Sequence, residues 1–241
     1  GTWDNRSWNH HDFDGEADQV PGAETVNMMR LRNARNLLGT LFISSGTPML
    51  LGGDEFGRTQ GGNNNAYCQD GPISWVDWDL AEAQQAQIDA VSWLIALRKA
   101  HPVLRPDSFA TGQPYGGDTL PDLSWYTAQG TPMPDYGWTD SRHRTFQMLR
   151  SGVKWGDHDA LISINANLDD AQVTLPEGHD LDWLIAYSPV WEAPGDGGVG
   201  SSLDPSDISL EVEHVTPRST LTIEALSVTL LLSDIAFQPE T

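Results

Sequence analysis

Residues 46–80, GTPMLLGGDEFGRTQGGNNNAYCQDGPISWVDWDL, contain the pattern that decides the fold. Residues 47–51 are a short, nearly all-apolar run, which is typical of a strand buried on both faces of a parallel sheet. Residues 52–78 follow without a sustained period and are rich in Gly and Asn. A loop longer than about 12 to 15 residues is usually functional or disordered. Its aromatic residues, among them Trp75 and Trp78, favour an ordered and functional loop.

Helical patterns flank this loop on both sides. From residue 24 to about residue 45, apolar residues recur at the spacing of a helix with one buried face. Arg30, Arg32 and Arg35 are expected largely on its solvent side. A second helical pattern continues to about Ala100 and ends before a proline. A helix that leads into a buried strand is typical of α/β folds.

The sequence after Arg105 predicts a different kind of structure. A run rich in Gly, Pro and Asp is followed by short alternating segments. Residues 161–164 and 173–175 lie on either side of an Asp-Asp turn, which predicts that they pair as strands. Similar segments continue to the end of the chain, so the pattern predicts an antiparallel sandwich. The insert at 192–207 is expected to be a surface loop.

Composition and charge narrow the class of protein. The 241 residues suffice for one good core or two small ones, since domains most often have about 100 to 150 residues. With 13 basic and 34 acidic residues the formal net charge is -21, which repels nucleic acids and anionic membrane surfaces but not a neutral polysaccharide. The acidity is equally explained by solubility alone. With one cysteine and no run of about 20 apolar residues, the chain is expected to be cytoplasmic.

Residues 46–80 resemble the last barrel strand and the following loop of isoamylase-type glycogen debranching enzymes, in the α-amylase clan of glycoside hydrolases. The match to the late signature of the clan runs from Gly46 and Pro48 through the Gly-Asp-Glu at 53–55. The pieces NNNAYCQD and SWVDW are characteristic of the debranching branch. Similarity extends over nearly the whole chain, through DNRSWN at 4–9, LRNARNLLGTLF at 31–42, LRKAHPVLR at 97–105 and ISINANLDDAQVTLPEG at 162–178.

The resemblance implies a fold of two parts. Residues 1–108 are expected to be the C-terminal portion of a (β/α)8 TIM barrel, and residues 109–241 an antiparallel β-sandwich, so the fold class is α/β plus all-β. It also implies a parent glycoside hydrolase, without a cofactor, that cuts α-1,6 branch linkages in α-glucans such as glycogen and branched maltodextrin. A truncated barrel is expected to expose apolar surface, and so either to self-associate or to leave residues 1–45 less ordered than the sandwich.

No catalytic residue is assigned to this chain. Retaining glycosidases need two carboxyl groups about 5 to 5.5 Å apart, and the resemblance places the nucleophile, the acid and the third aspartate upstream of Gly1. Asp54 and Glu55 are the obvious local pair, but neighbours on a strand point to opposite faces unless the backbone turns between them. The His-His-Asp at 10–12 needs a distant third ligand, so no metal site is assigned. Cys68 has no base beside it in the sequence.

The loop is instead predicted to bind substrate. Loops at the C-terminal ends of barrel strands line the active-site mouth, and neutral sugars are held by hydrogen bonds to their hydroxyls and by aromatic faces. A structural alternative stays open, in which the Asn run fills tight turns, the acidic pair braces the loop and Trp75 is in the core. The predicted substrate-binding residues are Asp54, Glu55, Arg58, Asn63, Asn64, Asn65, Tyr67, Gln69 and Asp70.

The tryptophans of the predicted sandwich allow two interpretations. They form a platform for sugars, or they fill the core and the domain interface, and the second fits the usual burial of Trp. An alternative for the chain as a whole is therefore a non-catalytic carbohydrate-binding or structural β-sandwich module. The tryptophans concerned are Trp125, Trp138, Trp155, Trp183 and Trp191.

Overall fold

The computed structural model describes residues 23–79, 84–189 and 214–238. The DNRSWN segment, the His-His-Asp at 10–12 and the predicted surface loop at 192–207 lie outside these residues. The helices of the described part are α1 (Ala23–Ile43) and α2 (Gln85–Ala100). Its strands are β1 (Leu123–Thr127), β2 (Thr145–Arg150), β3 (Ala160–Asn165), β4 (Ala171–Thr174), β5 (Trp183–Tyr187), β6 (His214–Val215), β7 (Thr220–Ile223) and β8 (Ser227–Ser233).

The strands form two antiparallel sheets. Six of them pair in the order β1-β2-β3-β8-β5-β6, and β4 pairs with β7 in a second sheet. In the large sheet Met148 of β2 lies opposite Ile162 of β3, which in turn lies opposite Leu230 of β8. The antiparallel β domain expected after the helical part is confirmed.

One expected strand pair is wrong, because β3 and β4 belong to different sheets. The chain crosses from one sheet to the other at the Asp-Asp turn instead of forming a hairpin. The side-chain amide of Asn165 holds this crossing, since it donates to the carbonyl oxygens of Asp169, Ile223 and Glu224 at 2.9 to 3.1 Å. Gln147 makes a second link between the sheets by donating to Thr174 at 2.8 Å.

The central strands are buried on both faces. On one face Ile162 and Leu230 pack with Leu38 of α1 and Leu94 of α2 in a single core cluster. On the other face, residues of the large sheet such as Leu161 pack against the β4-β7 pair. The whole of β8 is buried, which explains its continuous apolar centre. The described residues thus form three layers, with the two helices on one side of the large sheet and the small sheet on the other.

The strand predicted at residues 47–51 is wrong in the described structure. These residues have no regular secondary structure, and Met49 and Leu51 are 87% and 59% exposed. An extended run becomes a strand only when another strand pairs its backbone groups. No strand in the described part of the chain pairs with this run. The two helices predicted on either side are confirmed, and neither is long and apolar enough to cross a membrane.

Candidate functional site

The loop after α1 begins with a tight turn that carries the acidic pair. Residues Asp54–Phe56 form a 3-10 turn between Gly53 and Gly57, whose φ angles of 98° and 75° suit glycine. Phe56 is only 2% exposed, and the turn packs against α2. The pair therefore lies on a turn and not on a strand, so the alternation expected of neighbours on a strand does not apply to Asp54 and Glu55.

Glu55 and Arg58 hold this turn in shape. One carboxylate oxygen of Glu55 accepts the backbone N–H of Gly53 at 2.8 Å. The Arg58 side chain lies across Gly53, where an added Cβ would come within 2.8 Å of it, and it donates to the Ser74 carbonyl at 2.9 Å. Arg58 therefore ties the start of the loop to its end. The hydrogen bond that Glu55 accepts from Gly53 supports the structural alternative, in which Glu55 braces the loop.

The surroundings of Asp54 perturb its ionisation. Its carboxylate is half-buried. Burial raises the pKa of Asp54 above its ordinary value, the positive charge of Arg58 opposes that rise, and the negative charge of Glu55 adds to it. A carboxyl group whose pKa is raised in this way keeps its proton to a higher pH than an exposed aspartate does.

The asparagine run shapes the loop through its own backbone. The side-chain oxygen of Asn63 accepts the N–H of Asn65 at 2.9 Å, and that of Asn65 accepts the N–H of Tyr67 at 3.2 Å. Such turns are the usual structural role of Asn. Gln69 donates to the Asn65 carbonyl at 3.4 Å. The turn-forming alternative is therefore supported for Asn63 and Asn65, while Asn64 between them is exposed.

The loop presents large aromatic side chains to solvent. Tyr67, Trp75 and Trp78 are 83%, 58% and 70% exposed, so the alternative that Trp75 is in the core is wrong. Asp70 accepts a hydrogen bond from the Trp75 indole at 2.9 Å, and Trp78 contacts Phe56 with ring centroids 5.6 Å apart. Trp75 and Trp78 are not among the predicted substrate-binding residues. Their aromatic side chains are the signal in the sequence that could have included them.

The tryptophans of the β domain divide between core and surface. Trp183 is 1% exposed and belongs to the core, and Trp155 is partly buried against the helix-facing cluster. Trp138 is 53% exposed and lies edge-to-face with Trp125 at 5.2 Å. Trp191 lies outside the described residues. Neither interpretation of the tryptophans therefore holds for the whole set.

Two groups of His and Asp side chains that are distant in sequence lie close together, and no sequence motif predicted them. In the described part of the chain, His101, Asp157 and His158 converge, as do Asp182, His214 and Asp234. In the first group the Asp157 carboxylate pairs with His101 at 3.0 Å and accepts the N–H groups of Val103 and His158. This group joins the end of α2 to the large sheet, so its arrangement is accounted for by structural hydrogen bonds.

Comparison with known proteins gives sequence relatives over most of the chain. No family model matches the chain. It is 38% identical over 186 residues to a glycogen debranching enzyme of Dickeya chrysanthemi, which covers 77% of this chain and 25% of that protein. It is 34% identical over 238 residues to a glycogen operon protein GlgX homolog of Mycobacterium tuberculosis, covering 94% of this chain and 30% of that protein. The chain thus spans between a quarter and a third of the length of these relatives.

Solved structures with a similar fold include pullulanases. A pullulanase from Bacillus acidopullulyticus matches 85% of this chain and 20% of its own, with a TM-score of 0.56 and 20% identity. Pullulanase type I from Bacillus subtilis, complexed with maltose, matches 90% of this chain and 24% of its own, with a TM-score of 0.57 and 19% identity. The TM-scores show a shared fold for this part of the proteins.

Proposed function

We propose that this chain, which is related over 77% of its length to a glycogen debranching enzyme, is part of a glycoside hydrolase that cuts α-1,6 branch linkages in glycogen-like glucans. The observation that carries the proposal is the 38% identity to that enzyme over 186 residues. Because the chain spans 25% of that relative, the reaction is proposed for a longer protein. We also propose a cytoplasmic location, because the sequence has a single cysteine.

The described contacts support the view that this chain does not supply the catalytic pair. Retaining hydrolysis needs one carboxylate to attack and one acid to protonate the leaving oxygen. The Glu55 carboxylate accepts a hydrogen bond from the backbone of Gly53. On this turn, Asp54 therefore lacks an acidic neighbour that could act as the second catalytic carboxyl group. We propose that residues 1–108 complete a (β/α)8 barrel whose other strands pair with the exposed run at 47–51 and carry the catalytic carboxylates.

The loop contributes to glucan binding through two sets of residues. Tyr67, Trp75 and Trp78 offer aromatic faces, and Asn64 is exposed in the same loop. Sugars present apolar ring faces and hydroxyls, which these groups match. The remaining predicted site residues place these groups by holding the loop in shape. They are Asp54, Glu55, Arg58, Asn63, Asn65, Gln69 and Asp70.

A hydrolysis assay tests the proposal. The protein encoded by the complete gene, incubated with branched dextrin, is expected to release linear maltooligosaccharides, and the 241-residue chain alone is expected to release none. In the complete protein, Tyr67→Ala is expected to raise KM about tenfold, because one aromatic contact to a sugar contributes about 1.4 kcal/mol. Tyr115→Ala is the matched control, since Tyr115 is 44% exposed outside the loop.

Two results contradict parts of this proposal. Turnover by the pure 241-residue chain, abolished by Asp54→Asn, shows that this chain holds its own catalytic group. A complete protein that leaves branched dextrin intact contradicts the debranching reaction and favours the alternative of a non-catalytic carbohydrate-binding or structural module.

A further inference from the structure

A second aromatic surface lies at one edge of the β domain. It is formed by Trp125 of β1, Phe146 of β2, and Tyr136 and Trp138 of the 3-10 turn Asp135–Trp138. The ring centroids of Trp125, Trp138 and Phe146 lie 5.2 to 6.3 Å apart. Tyr136 and Trp138 are 68% and 53% exposed. We call these four residues the edge aromatic patch.

The turn that carries the patch is held closely against its neighbours. Gly137 is buried, and a Cβ added there would come within 2.6 Å of the Met133 sulfur and 3.1 Å of His143 Nδ1. The backbone N–H of Met133 donates to the Trp125 carbonyl at 2.8 Å. The backbone that carries the exposed rings on either side of Gly137 is therefore held in place. A ligand that stacks on the rings does not have to order this backbone, which limits the entropic cost of binding.

A polar cavity adjoins the edge aromatic patch. Its volume is about 220 Å³, and the ring of His143, which lines it, lies 6.2 Å from that of Tyr136. The lining is rich in hydrogen-bonding groups, namely those of Thr127, Gln129, Arg142, His143, Arg144 and Asn167. The surface thus combines aromatic faces with a recess that can donate and accept hydrogen bonds, as sites for neutral sugars do.

We propose that the edge aromatic patch and its cavity bind a stretch of α-glucan chain, separately from the loop at 52–78. The identity of the sugar rests on the proposed function, whereas the existence of the surface does not. A net charge of -21 disfavours nucleic acids and anionic membranes as occupants. Such a surface holds a branched polymer on the protein while the active site works on its branches.

Retardation of the 241-residue chain in native gels that contain glycogen tests this proposal. The chain is expected to be retarded relative to gels without glycogen, and maltoheptaose is expected to compete. Trp138→Ala and Tyr136→Ala are each expected to weaken binding about tenfold, as loss of an aromatic anchor does. Trp138→Phe retains an aromatic face and is expected to retain most of the binding. Phe109→Ala is the matched control, because Phe109 is 93% exposed away from the patch.

The possible outcomes separate this proposal from the debranching proposal. Unchanged retardation in both alanine variants overturns the patch as a glucan site, and so does a wild-type chain that glycogen does not retard. Competition by inorganic phosphate overturns it as well, by showing that Arg142 and Arg144 bind an anion. Near-ultraviolet circular dichroism confirms that each variant is folded. The hydrolysis assay of the complete protein is independent of these results. The debranching reaction can succeed or fail whether or not the edge aromatic patch binds glucan.

Discussion

At the scale of single residues, His179 is held between two carboxylate groups. Its two ring nitrogens each lie 2.6 Å from a carboxylate oxygen, Nδ1 from Asp159 and Nε2 from Asp118. The ring also packs edge-on against Phe237 at 4.7 Å. Burial alone would lower the pKa of His179, but hydrogen bonds to Asp159 and Asp118 outweigh it and raise the pKa to about 9. The imidazolium therefore joins two buried carboxylates and the C-terminal segment.

This pKa makes stability depend on pH in the alkaline range. Below the unfolded value of 6.5, His179 is protonated in both states and its contribution is complete. Between 6.5 and about 9 the folded state alone keeps the proton, so the free energy of unfolding falls as pH rises. The loss is up to about 3 kcal/mol. Urea unfolding at pH 6 and at pH 9.5 measures it.

A variant isolates this effect from the general repulsion of a highly acidic chain. His179→Gln is expected to be less stable than the wild type at pH 6 and nearly equal to it at pH 9.5. An equal difference between the two proteins at both pH values would contradict the protonation argument.

At acidic pH, Asp118 makes the free energy of unfolding depend on pH with the opposite sign. Hydrogen bonds from Ser151 and His179 outweigh burial and lower the pKa of Asp118, so its contribution is lost as pH falls.

Residue-level expectations held where side chains act locally and failed where partners come from far away. The Asn turns are readable from the sequence because their donors lie two residues on. Arg35, expected in solvent, is 7% exposed and donates to Gln87 at 3.2 Å. The contacts of His179 with Asp159 and Asp118, 20 and 61 residues away, leave no signal in a single sequence.

At the scale of elements, the end of α1 is stabilised by two arginines from other elements. Arg98 of α2 donates to the carbonyl oxygens of Phe42, Ser44, Leu104 and Gly46. Arg150 of β2 donates to the Ile43 carbonyl at 3.0 Å. The last carbonyls of a helix lack partners within it, and cations there also interact favourably with the helix dipole. Burial, with the charge of Arg98, lowers the pKa of Arg150 to about 10.

Replacing Arg98 tests this arrangement. Arg98→Met keeps much of the apolar stem but leaves buried carbonyl groups without donors, so we expect about 3 kcal/mol of destabilisation. Chemical denaturation measures the change. Lys99→Met is the matched control on the same helix, because Lys99 is exposed. A loss no larger in Arg98→Met than in Lys99→Met would show that water satisfies these carbonyls instead.

The helices were predictable as elements, whereas strand pairing was less so. Helical periodicity is local, and it located α1 and the end of α2 to within a few residues. Strands depend on partners distant in sequence, which is why β3 and β4 were paired wrongly and residues 47–51 were expected to be a strand. Alternation did indicate β7, since one face of β7 is exposed, whereas the signal for β8 is its apolar centre, because β8 is buried along its whole length.

At the scale of the whole molecule, apolar side chains remain exposed around α1 and the run after it. Met28 and Leu37 of α1 are 64% and 73% exposed, and Met49 and Leu51 also face solvent. Exposed apolar surface of this kind usually marks a surface that another partner covers. The division at residue 108 stays a prediction. The shared core of helices and large sheet implies that any cut there would expose apolar surface on both pieces.

We expect the isolated chain to self-associate through this surface. The sedimentation coefficient is expected to rise with protein concentration, and the double variant Met49→Lys with Leu51→Lys is expected to reduce that rise, because charged side chains oppose burial. Ile235→Lys, at a position 57% exposed on the β domain, is the control. A wild-type chain that sediments as a monomer at every concentration would contradict the proposal.

Cys68 is exposed in the loop at 52–78 and has a left-handed φ of 58°. It is the one thiol in the sequence. A maleimide dye therefore labels the molecule at a single point, within a residue of Tyr67, without any engineered cysteine. Its emission would report glucan contact at the loop directly. The same thiol can cross-link two copies in air, so sedimentation is measured under reducing conditions, which keeps oxidised dimers apart from association through apolar surface.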